Sequence, residues 1–395
     1  MNKNILHLYN IAQKENRLII GLMSGTSLDG LDIALCSFTG SGLQTKLKLL
    51  QFETVCYDED FKREIKTIFS KENIELQKLT LLNAWIGTQH GNMVNRFLQK
   101  WSIKKEEVDI IASHGQTIYH APKTLHGLST FGNATLQIGD GDHIAVTTGI
   151  TTISDFRQKN IAAGGEGAPL AVYGDYLLLS KVGEERILLN IGGIANFTFL
   201  PGDKNPLNIF SSDVGPGNTM MDAYVQQHFP GKYYDENATI ALQGKLNENL
   251  LSALKENEFF TKSFPKTTGP ELFNVTYLTE AQEKSNTNNL SANDVMATLN
   301  KFSADMIVAA IQQTTTNKNI IVYSSGGGMH NPLLMQNIKE QLLEIDFKTT
   351  EELGINPDAK EAILFAVLAN EALCGGKTDF GNAAPSVSMG KISLP

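Results

Sequence analysis

The sequence predicts an α/β protein with two similar halves, each holding a mixed sheet flanked by helices. Its 395 residues suffice for two or three globular units, since a domain holds roughly 150 residues. Short apolar runs that end in glycine-rich turns alternate with longer segments whose apolar residues recur at helical spacing. Polar clusters follow several of these runs, and open α/β sheets bind ligands beyond the carboxyl ends of their strands.

The first half begins with a predicted hairpin. Residues 17–23 (RLIIGLM) and 31–38 (LDIALCSF) are apolar and flank the polar turn SGTSLDG, which predicts two strands with a glycine-rich tip. Residues 60–70 and 76–101 are predicted helices, because apolar residues recur on one face of the longer segment. Two more predicted strands each end before a polar segment: 109–112 before SHGQTIYH, and 150–153 before SDFRQKN.

The second half repeats the pattern. Residues 186–200 (RILLNIGGIANFTFL) again predict a strand, a Gly-Gly turn and a strand, and 207–211 predict a strand that leads into DVGPGN and a helix. The polar residues 285–293 predict a surface loop. The remaining predicted elements are a helix at 294–313, a strand at 319–323 before SSGGGMHN, a helix at 358–373 and a glycine-rich tail.

Composition narrows the class of partner. The 33 Lys and Arg against 42 Asp and Glu give a net charge of −9, which argues against nucleic acid or an anionic membrane surface as the main partner. Cys36, Cys56 and Cys374 are odd in number and far apart, so neither a disulfide framework nor a zinc site is expected. Without a signal peptide or an apolar run of about 18 residues, the sequence predicts a soluble cytoplasmic protein.

Three glycine-rich turns each follow an apolar strand, at 25–30, 192–193 and 326–328. Glycine lets the backbone approach a ligand closely, and consecutive N–H groups can hold a phosphate. One such turn is most simply a tight turn, but three with nearby hydroxyl, carboxylate or amide groups favour a nucleotide site. No GxxxxGK[ST] motif occurs, so an ATP enzyme of this sequence needs an architecture other than the Walker A loop.

Seven segments, in this order, resemble the anhydro-N-acetylmuramic acid kinase family over about residues 17–373. They are GLMSGTSLDGLDIAL (21–35), SHGQTIYH (113–120), DFRQKNIAAGGEGAPL (155–170), LNIGGIANF (189–197), DVGPGN (213–218), KTTGPELFN (266–274) and SSGGGMHN (324–331). The paired hairpins also resemble the wider superfamily of sugar kinases, acetate kinases, chaperone ATPases and actin.

The resemblance implies a two-domain actin-like ATPase fold, which is ribonuclease H-like, with mixed sheets and an active site in the interdomain cleft. It implies one domain of residues 1–150 and 361–395 and another of residues 151–360. It further implies that the protein binds the sugar substrate and ATP and forms a homodimer. No nucleic-acid or membrane partner is expected, in agreement with the net charge.

The implied reaction converts 1,6-anhydro-N-acetylmuramic acid, ATP and water to N-acetylmuramic acid 6-phosphate and ADP, in cell-wall recycling. Because O6 is held in an internal acetal, it has no proton to lose, and a base must activate water instead. Asp213 of the DxGPGN motif matches the family's base, and a turn or helix-capping aspartate is the alternative. Arg157 matches an anion-binding position and would grip the lactyl carboxylate or a hydroxyl group, with a surface salt bridge as its alternative.

The resemblance also implies further substrate and nucleotide contacts. His114, Gln116 and Thr117 suit sugar hydroxyls or the N-acetyl group, although a lone histidine is more often structural. Glu361 matches an acidic sugar-site position, with a solvated helix carboxylate as its alternative. The implied nucleotide contacts are Gly25, Thr26, Ser27, Leu28, Asp29, Gly30, Leu31, Asp32, Gly192, Gly193, Gly326, Gly327 and Gly328. Mg²⁺ is implied as well, with Asp29 and Asp213 reaching it through water.

Two departures from the family pattern and two alternative functions stay open. Where many relatives carry DFRxxD and GGQGAPL, this chain has Asn160 and Glu166, an exchange that preserves local charge if the two sites meet. An ordinary sugar 6-kinase, with Asp213 deprotonating a free hydroxyl, is the first alternative function. A nucleotide-dependent clamp or sensor that binds a partner without modifying it is the second.

Overall fold

The computed structural model divides the chain into two compact units, Met1–Leu179 with Ile355–Pro395 (unit 1) and Ser180–Gly354 (unit 2). It describes residues 2–315, 317, 319–375, 380–381 and 384–395. Residues 151–179 and 355–360, expected in the second domain, belong to unit 1.

Unit 1 carries a seven-stranded mixed sheet in the order β12-β6-β4-β1-β2-β3, with β5 paired to β4. Its strands are β1 (Asn16–Ser24), β2 (Gly30–Thr39), β3 (Lys46–Cys56), β4 (Ile110–Ala121), β5 (Ala134–Ile138), β6 (Thr152–Ser154) and β12 (Lys391–Ser393). Its helices are α1 (Lys3–Gln13), α2 (Glu59–Lys66), α3 (Leu76–Lys100), α4 (Lys123–His126), α5 (Gly141–Thr148), α6 (Phe156–Ala162), α7 (Ala171–Leu179) and α14 (Lys360–Cys374).

Unit 2 carries a five-stranded mixed sheet in the order β11-β10-β7-β8-β9. Its strands are β7 (Arg186–Ile191), β8 (Ile194–Leu200), β9 (Phe210–Pro216), β10 (Ile321–Ser325) and β11 (Asp346–Thr349). Its helices are α8 (Thr219–His228), α9 (Glu248–Lys255), α10 (Glu258–Thr261), α11 (Val275–Ser285), α12 (Ala292–Thr314) and α13 (Pro332–Lys339).

The two sheets share one topology. In each unit the first three strands are antiparallel neighbours, the fourth is parallel to the first, and a fifth is parallel to the fourth. Each unit also has its own apolar core, one around Ile20, Leu22 and Ile111 and the other around Ile187, Phe197 and Val322. The predictions of an α/β class, mixed sheets and two similar halves are confirmed, and the repeated strand order is that of the expected actin-like, ribonuclease H-like fold.

Several predicted boundaries are confirmed and two are wrong. The predicted helices at 76–101, 294–313 and 358–373 correspond to α3, α12 and α14, and Ser291 caps α12 by accepting a hydrogen bond from the Asp294 amide. The strand predicted at 109–112 continues to Ala121, because its second half pairs with β5. The strand predicted at 207–211 runs instead from Phe210 to Pro216, because it pairs with β8 through Pro216 and Ile194.

The boundary between units follows from strand pairing. β6 pairs in parallel with β4 and antiparallel with β12, so the chain after residue 150 returns to the first sheet. The predicted glycine-rich tail follows α14, and its residues 376–379 and 382–383 lie outside the described residues. Within the described residues, no helix is both long and apolar enough to cross a bilayer.

Candidate active site

The turn between β1 and β2 presents polar groups on its outside and apolar ones beneath. Thr26, Ser27 and Asp29 are exposed, whereas Leu28 and Leu31 are buried in the core of unit 1. The Asp29 carboxylate accepts hydrogen bonds from the Ser27 hydroxyl at 2.8 Å and from the Gly30 amide at 3.0 Å. Leu28 and Leu31, both expected to contact nucleotide, can therefore offer a ligand only their backbone.

Gly30 and Asp32 serve the hairpin in different ways. A Cβ atom on Gly30 would lie 2.5 Å from the Val55 carbonyl oxygen, so β3 requires glycine at this position. Asp32 accepts a hydrogen bond from the Thr54 hydroxyl at 2.6 Å. Burial raises the pKa of Asp32, and the neighbouring Asp29 and Asp358 carboxylates raise it further. The hairpin thus carries a concentration of negative charge that suits a partly hydrated cation.

Arg157, near the start of α6, is held by two bonds within unit 1. Its Nε donates to His114 Nε2 at 2.8 Å, and its Nη1 donates to the Gly167 carbonyl at 2.7 Å. Within the described residues no partner occupies its Nη2, so one edge of the guanidinium is available to an anion. Partial burial lowers the pKa of Arg157, and the Glu361 carboxylate opposes that shift.

Glu361, in the first turn of α14, shares this environment. Its side chain keeps solvent access, yet desolvation by surrounding protein raises its pKa, and the Arg157 charge acts in the opposite direction. The fold thus brings the predicted sugar-site residues Arg157 and Glu361 into electrostatic contact, although they are far apart in the sequence.

His114 is a buried neutral histidine rather than an open substrate ligand. It is 3% exposed, and burial together with the Arg157 charge lowers its pKa to about 3. Because its Nε2 accepts the Arg157 hydrogen bond, its ring proton lies on Nδ1. We therefore revise the expected sugar contact: His114 orients Arg157, which agrees with the structural alternative.

Gln116 also departs from the expected substrate contact. It is fully buried in β4, where its Oε1 accepts from the Ser24 hydroxyl and its Nε2 donates to the carbonyls of Gly25 and Thr117. With both ends of the amide engaged, Gln116 positions the first turn and does not face a ligand. Its expected role is corrected accordingly, because β4 continues through this residue and buries it.

Thr117 keeps an accessible position. Together with Thr26 and His120 it lines a depression of about 310 Å³ in unit 1. Its hydroxyl accepts a hydrogen bond from Gln137 at 3.2 Å. One wall of this depression therefore belongs to the first turn and another to β4, which places a nucleotide-site prediction and a sugar-site prediction side by side.

Asn160 has a structural explanation. The buried amide accepts a hydrogen bond from the Gly167 amide at 2.9 Å and donates to the Tyr173 hydroxyl at 3.1 Å. Tyr173 in turn donates to the Pro385 carbonyl at 2.6 Å. An aspartate at this position would lack the amide donor. Glu166 is exposed and directly precedes Gly167, whose amide binds Asn160. The two departures from the family pattern are therefore close to each other.

Asp213 lies within β9 and is anchored by the segment after α10. Its Oδ2 accepts a hydrogen bond from the Thr268 amide at 2.9 Å, and its own amide donates to the Lys266 carbonyl at 2.9 Å. Burial raises its pKa, the Thr268 bond lowers it, and the Glu271 carboxylate raises it. The helix-capping alternative is not what the structure has, since α8 begins at Thr219 after its N-cap residue Asn218.

The second glycine turn supports the start of α8. The Gly192 and Gly193 carbonyls accept hydrogen bonds from the backbone amides of Gly217, Asn218 and Thr219 at 2.8–3.0 Å. In a trans peptide the carbonyl and the N–H group point in opposite directions, so the Gly193 N–H points away from α8. A Cβ atom on either glycine would lie 3.5 Å or more from its nearest heavy atoms, so steric crowding does not require glycine at either position.

The three glycines of the third turn differ in how closely other atoms approach them. Gly326 has φ +83°, and a Cβ atom there would lie 2.6 Å from Asn190 Oδ1 and 2.7 Å from the Ile191 carbonyl oxygen. A Cβ atom on Gly328 would lie 2.3 Å from the Ile191 side chain. A Cβ atom on Gly327 would meet nothing nearer than Asn218 Nδ2 at 3.9 Å. Of these three glycines, only Gly327 presents a free face.

Gly327 lines a cavity of about 490 Å³ in unit 2, which is large enough for a small ligand. Asn331 lies at its edge, where it caps α13 by accepting a hydrogen bond from the Leu334 amide at 3.0 Å. The cavity is lined by Asn218, Met221, Asp222, Tyr234, Asp235, Glu236, Asn237, Gly327, His330 and Asn331. Burial raises the pKa of Asp222 to about 6.

Sequence reasoning missed most of this cavity, although its glycine turn was found. Tyr234, Asp222 and Glu236 belong to none of the quoted motifs, so nothing local marked them. Thr268 lies within KTTGPELFN, which was recognised as a motif but given no role. Tyr57 and His90 are buried beneath the first turn, and no sequence signal pointed to them.

Each unit, taken by itself, offers groups that suit part of a phosphate-bearing ligand. In unit 2, the open face of Gly327 lets the backbone lie against a flat group. In unit 1, the exposed Thr26 hydroxyl can donate to a phosphate oxygen, whereas Ser27 donates its proton to Asp29. Asp29 in unit 1 and Asp213 in unit 2 each carry a carboxylate, a kind of group that Mg²⁺ binds directly or through water. The described residues hold no group of three or more His, Cys, Asp or Glu side chains arranged as a metal site.

Comparisons with known proteins give one result. The family model described as anhydro-N-acetylmuramic acid kinase matches residues 17–392. Proteins named anhydro-N-acetylmuramic acid kinase from Pseudoalteromonas atlantica and Pseudoalteromonas translucida are 58% and 57% identical to this chain, each over 100% of both chains. One from Caldanaerobacter subterraneus is 38% identical over 99% of both chains. Together with the seven motifs and the glycine turns, these matches show that the chain belongs to the anhydro-N-acetylmuramic acid kinase family.

Proposed function

We propose that this enzyme opens the 1,6-anhydro ring of 1,6-anhydro-N-acetylmuramic acid with water and phosphorylates O6 from ATP, with Asp213 as the general base. The observation that supports it most directly is the Asp213 carboxylate. One oxygen is fixed by the Thr268 amide, while Oδ1 has no hydrogen-bond partner within the described residues. A carboxylate that is oriented, partly desolvated and raised in pKa is suited to accept a proton.

The reaction balances with one water and one phosphoryl group. Asp213 takes a proton from water as the water oxygen bonds to C1 and the C1–O6 bond breaks. O6 keeps the electron pair of that bond and attacks the γ-phosphorus of ATP, and ADP leaves. Because water attack at C1 releases O6, the base is needed near C1 to accept the water proton, and O6 has no proton to lose.

Arg157, Glu361 and Thr117 are proposed to bind the sugar. The free edge of the Arg157 guanidinium suits the lactyl carboxylate, because a planar fork and a carboxylate match in geometry and charge. Glu361 suits a sugar hydroxyl as hydrogen-bond acceptor, since desolvation strengthens such a bond. His114 contributes by fixing Arg157.

The glycine turns and the cavity of unit 2 are proposed to bind ATP. The turns at 25–30 and 192–193 provide backbone amides for the phosphates, and the cavity beside Gly327 suits the nucleoside. Mg²⁺ supplies neutralisation of the phosphate charge when bound, and Asp29 and Asp213 are the proposed residues to hold it through water. Asp213 would then have two roles.

A product analysis tests the function. Purified enzyme is given Mg-ATP with 1,6-anhydro-N-acetylmuramic acid, with N-acetylmuramic acid, or with no sugar, and ADP and product mass are recorded. We expect ADP only with the anhydro sugar, and a product heavier by one water and one phosphoryl group. In H₂¹⁸O the label should appear at C1. ADP formation with the free sugar would favour an ordinary 6-kinase, and turnover dependent on a protein would favour a clamp.

The pH dependence of kcat/KM should report on Asp213. Because Asp213 must be ionised to accept a proton and its pKa is raised, activity should fall with decreasing pH at a higher pH than for an ordinary aspartate. Glu271→Gln removes a charge that raises this pKa, so the acid limb should move to lower pH. Glu280→Gln, an exposed change on α11, is the control and should leave the limb in place. An unmoved limb in Glu271→Gln would contradict the assignment.

The third glycine turn offers a matched pair of substitutions. Gly326→Ala forces a Cβ atom into Asn190 and Ile191 at a positive φ, so the free energy of unfolding should fall by about 1–3 kcal/mol. Gly327→Ala has room within the protein and should leave that free energy unchanged. It should instead raise the KM for ATP, because its methyl group enters the proposed nucleoside site. Urea unfolding and steady-state kinetics separate the two effects.

Three further properties complete the proposal. The resemblance supports a homodimer, which light scattering of the purified protein can test. The cysteine pattern supports a reducing cytoplasm, and fractionation of cells that express the protein can test it. Mg²⁺ dependence can be tested by titrating the metal at fixed ATP, where activity should follow the concentration of Mg-ATP.

A further inference from the structure

A chain of buried side chains lies beneath the first glycine turn. His90 Nε2 lies 3.0 Å from the Tyr57 hydroxyl oxygen, which lies 2.7 Å from Ser24 Oγ. Ser24 Oγ lies 2.5 Å from Gln116 Oε1, and Gln116 Nε2 reaches the Gly25 carbonyl at 3.2 Å. His90 lies on α3, Tyr57 directly follows β3, Ser24 ends β1 and Gln116 lies on β4; each is 3% exposed or less.

The direction of every hydrogen bond in this chain of side chains follows from its Gln116 end. Gln116 must turn its NH₂ group to the carbonyls of Gly25 and Thr117, because carbonyls only accept. Its Oε1 therefore accepts the single proton of Ser24, and Ser24 must accept from Tyr57. Tyr57, having used its only proton, must accept from His90.

The direction of the chain assigns the His90 proton to Nε2. Burial lowers the pKa of His90 to about 4, so the ring is neutral at pH 7 and carries one proton. Nδ1 is left without a partner within the described residues. Only the tautomer with its proton on Nε2 can donate a hydrogen bond to the Tyr57 hydroxyl oxygen.

The chain holds both ends of the turn. Besides its side-chain contact with Ser24, Tyr57 donates its backbone amide to the Asp29 carbonyl at 3.0 Å. Gln116 holds the Gly25 carbonyl at the other end. Since the carbonyl and N–H of one trans peptide point in opposite directions, the Thr26 N–H points away from Gln116. Within the described residues, the Thr26 and Ser27 amides have no partner, so they remain available to a ligand.

We propose that His90, Tyr57, Ser24 and Gln116 form a one-directional hydrogen-bond chain that positions the turn at 25–29 for the phosphates of ATP. These are positioning residues, because none of them touches the reacting atoms. The inference rests on the proposed phosphate-binding role of this turn and adds the residues that preset it. A preset turn binds more tightly, because less ordering remains to be done on binding.

The tautomer of His90 gives a test that does not need catalysis. The protein has 8 histidines, so ¹⁵N-histidine labelling with two-bond ¹H–¹⁵N correlation can resolve each ring. The His90 signals are assigned by their loss in His90→Gln. We expect a neutral ring protonated at Nε2 at pH 7. A ring protonated at Nδ1, or on both nitrogens, would overturn the chain.

Nucleotide binding tests the positioning role. Calorimetry with a non-hydrolysable ATP analogue and Mg²⁺ should show Kd raised about 2- to 12-fold in Gln116→Met and in Tyr57→Phe, the range that one net hydrogen bond gives. His90→Leu should weaken binding in the same direction, whereas His90→Gln, which keeps a donor near the Nε2 position, should stay close to wild type. Tyr277→Phe is the control, since Tyr277 also donates its hydroxyl to a carbonyl, that of Leu254 at 2.6 Å, but in unit 2.

The outcomes separate this inference from the proposed function. Equal Kd values in wild type, Gln116→Met and Tyr57→Phe would overturn the positioning role alone. A wild-type protein that binds no nucleotide would overturn the proposed function, and the positioning role with it. Urea unfolding gives the free energy of unfolding of each variant and of Tyr277→Phe. A rise in Kd that Tyr277→Phe does not show at an equal loss of stability belongs to the positioning role.

Discussion

Replacing Asp213 by Asn should lower kcat by about 10³-fold or more, while Kd for the sugar stays within about twofold. Kd for the Mg²⁺-ATP analogue should change far less than kcat, because an amide oxygen can still accept a hydrogen bond from a metal-bound water. A positioned general base contributes roughly 10²–10⁴-fold, and an amide cannot accept the water proton. The amide oxygen can still accept the Thr268 hydrogen bond, so the local geometry should persist. Because the substitution removes a desolvated charge, the free energy of unfolding at pH 7 should not fall. Steady-state kinetics, calorimetry and urea unfolding measure these quantities.

Asp222→Asn is the matched control for this substitution. Asp222 lies in the same unit, and burial raises its pKa to about 6, so the same chemical change is made at another perturbed carboxylate. It lines the cavity beside Gly327, and we expect its loss to act mainly on the KM for ATP. If Asp213→Asn kept near-full activity, or if both variants lost kcat equally, Asp213 would not be the base.

Replacing Arg157 by Ala should raise the KM for the sugar by about 100-fold and leave the KM for ATP nearly unchanged. A hydrogen bond between charged groups contributes roughly 1.5–3 kcal/mol, and a guanidinium makes two to one carboxylate. Truncation also removes the donors to His114 and Gly167, so part of the loss comes from the local structure. Arg157→Lys keeps the charge but not the planar fork, and its KM should lie between the two.

A control on the surface of unit 1 separates charge from position. Arg96 lies with its guanidinium carbon 5.6 Å from the centre of the Phe97 ring, and Arg96→Ala changes the net charge by the same amount. It should leave both KM values unchanged. An unchanged sugar KM in Arg157→Ala, with the protein still folded by urea titration, would remove Arg157 from the sugar site.

The sequence predicted features that depend on local chemistry. Strands, long helices and the glycine turns follow from apolar spacing and from residues that tolerate tight turns, and these were placed within a few residues. The motif resemblance also singles out Asp213 and Arg157, each within a segment that matches the family pattern. Which glycine of 326–328 faces open space could not be predicted, because Gly326 and Gly328 are crowded by β7, more than a hundred residues away in the chain.

The errors arose from pairing between distant segments. His114 and Gln116 were placed beyond a strand end because β5, which extends β4, gives no sign of its partner in the sequence. The domain boundary was misplaced because β6 looks like any short strand until its pairing with β12 is known. The hydrogen-bond chain from His90 to Gln116 was missed for the same reason, since three of its members lie on α3, β1 and β4 and Tyr57 directly follows β3.

The division of the chain also bears on how it folds during synthesis. Unit 2 is one continuous segment, whereas unit 1 is started before it and completed after it. α14 and β12 emerge from the ribosome after unit 2, and β12 pairs with β6 in the unit 1 sheet. Because domains fold as units during translation, the second unit can fold while the first still lacks its final helix and edge strand. Until α14 and β12 are synthesised, the sheet of unit 1 therefore remains incomplete. A translation product that ended before α14 would contain a complete unit 2 and an incomplete unit 1.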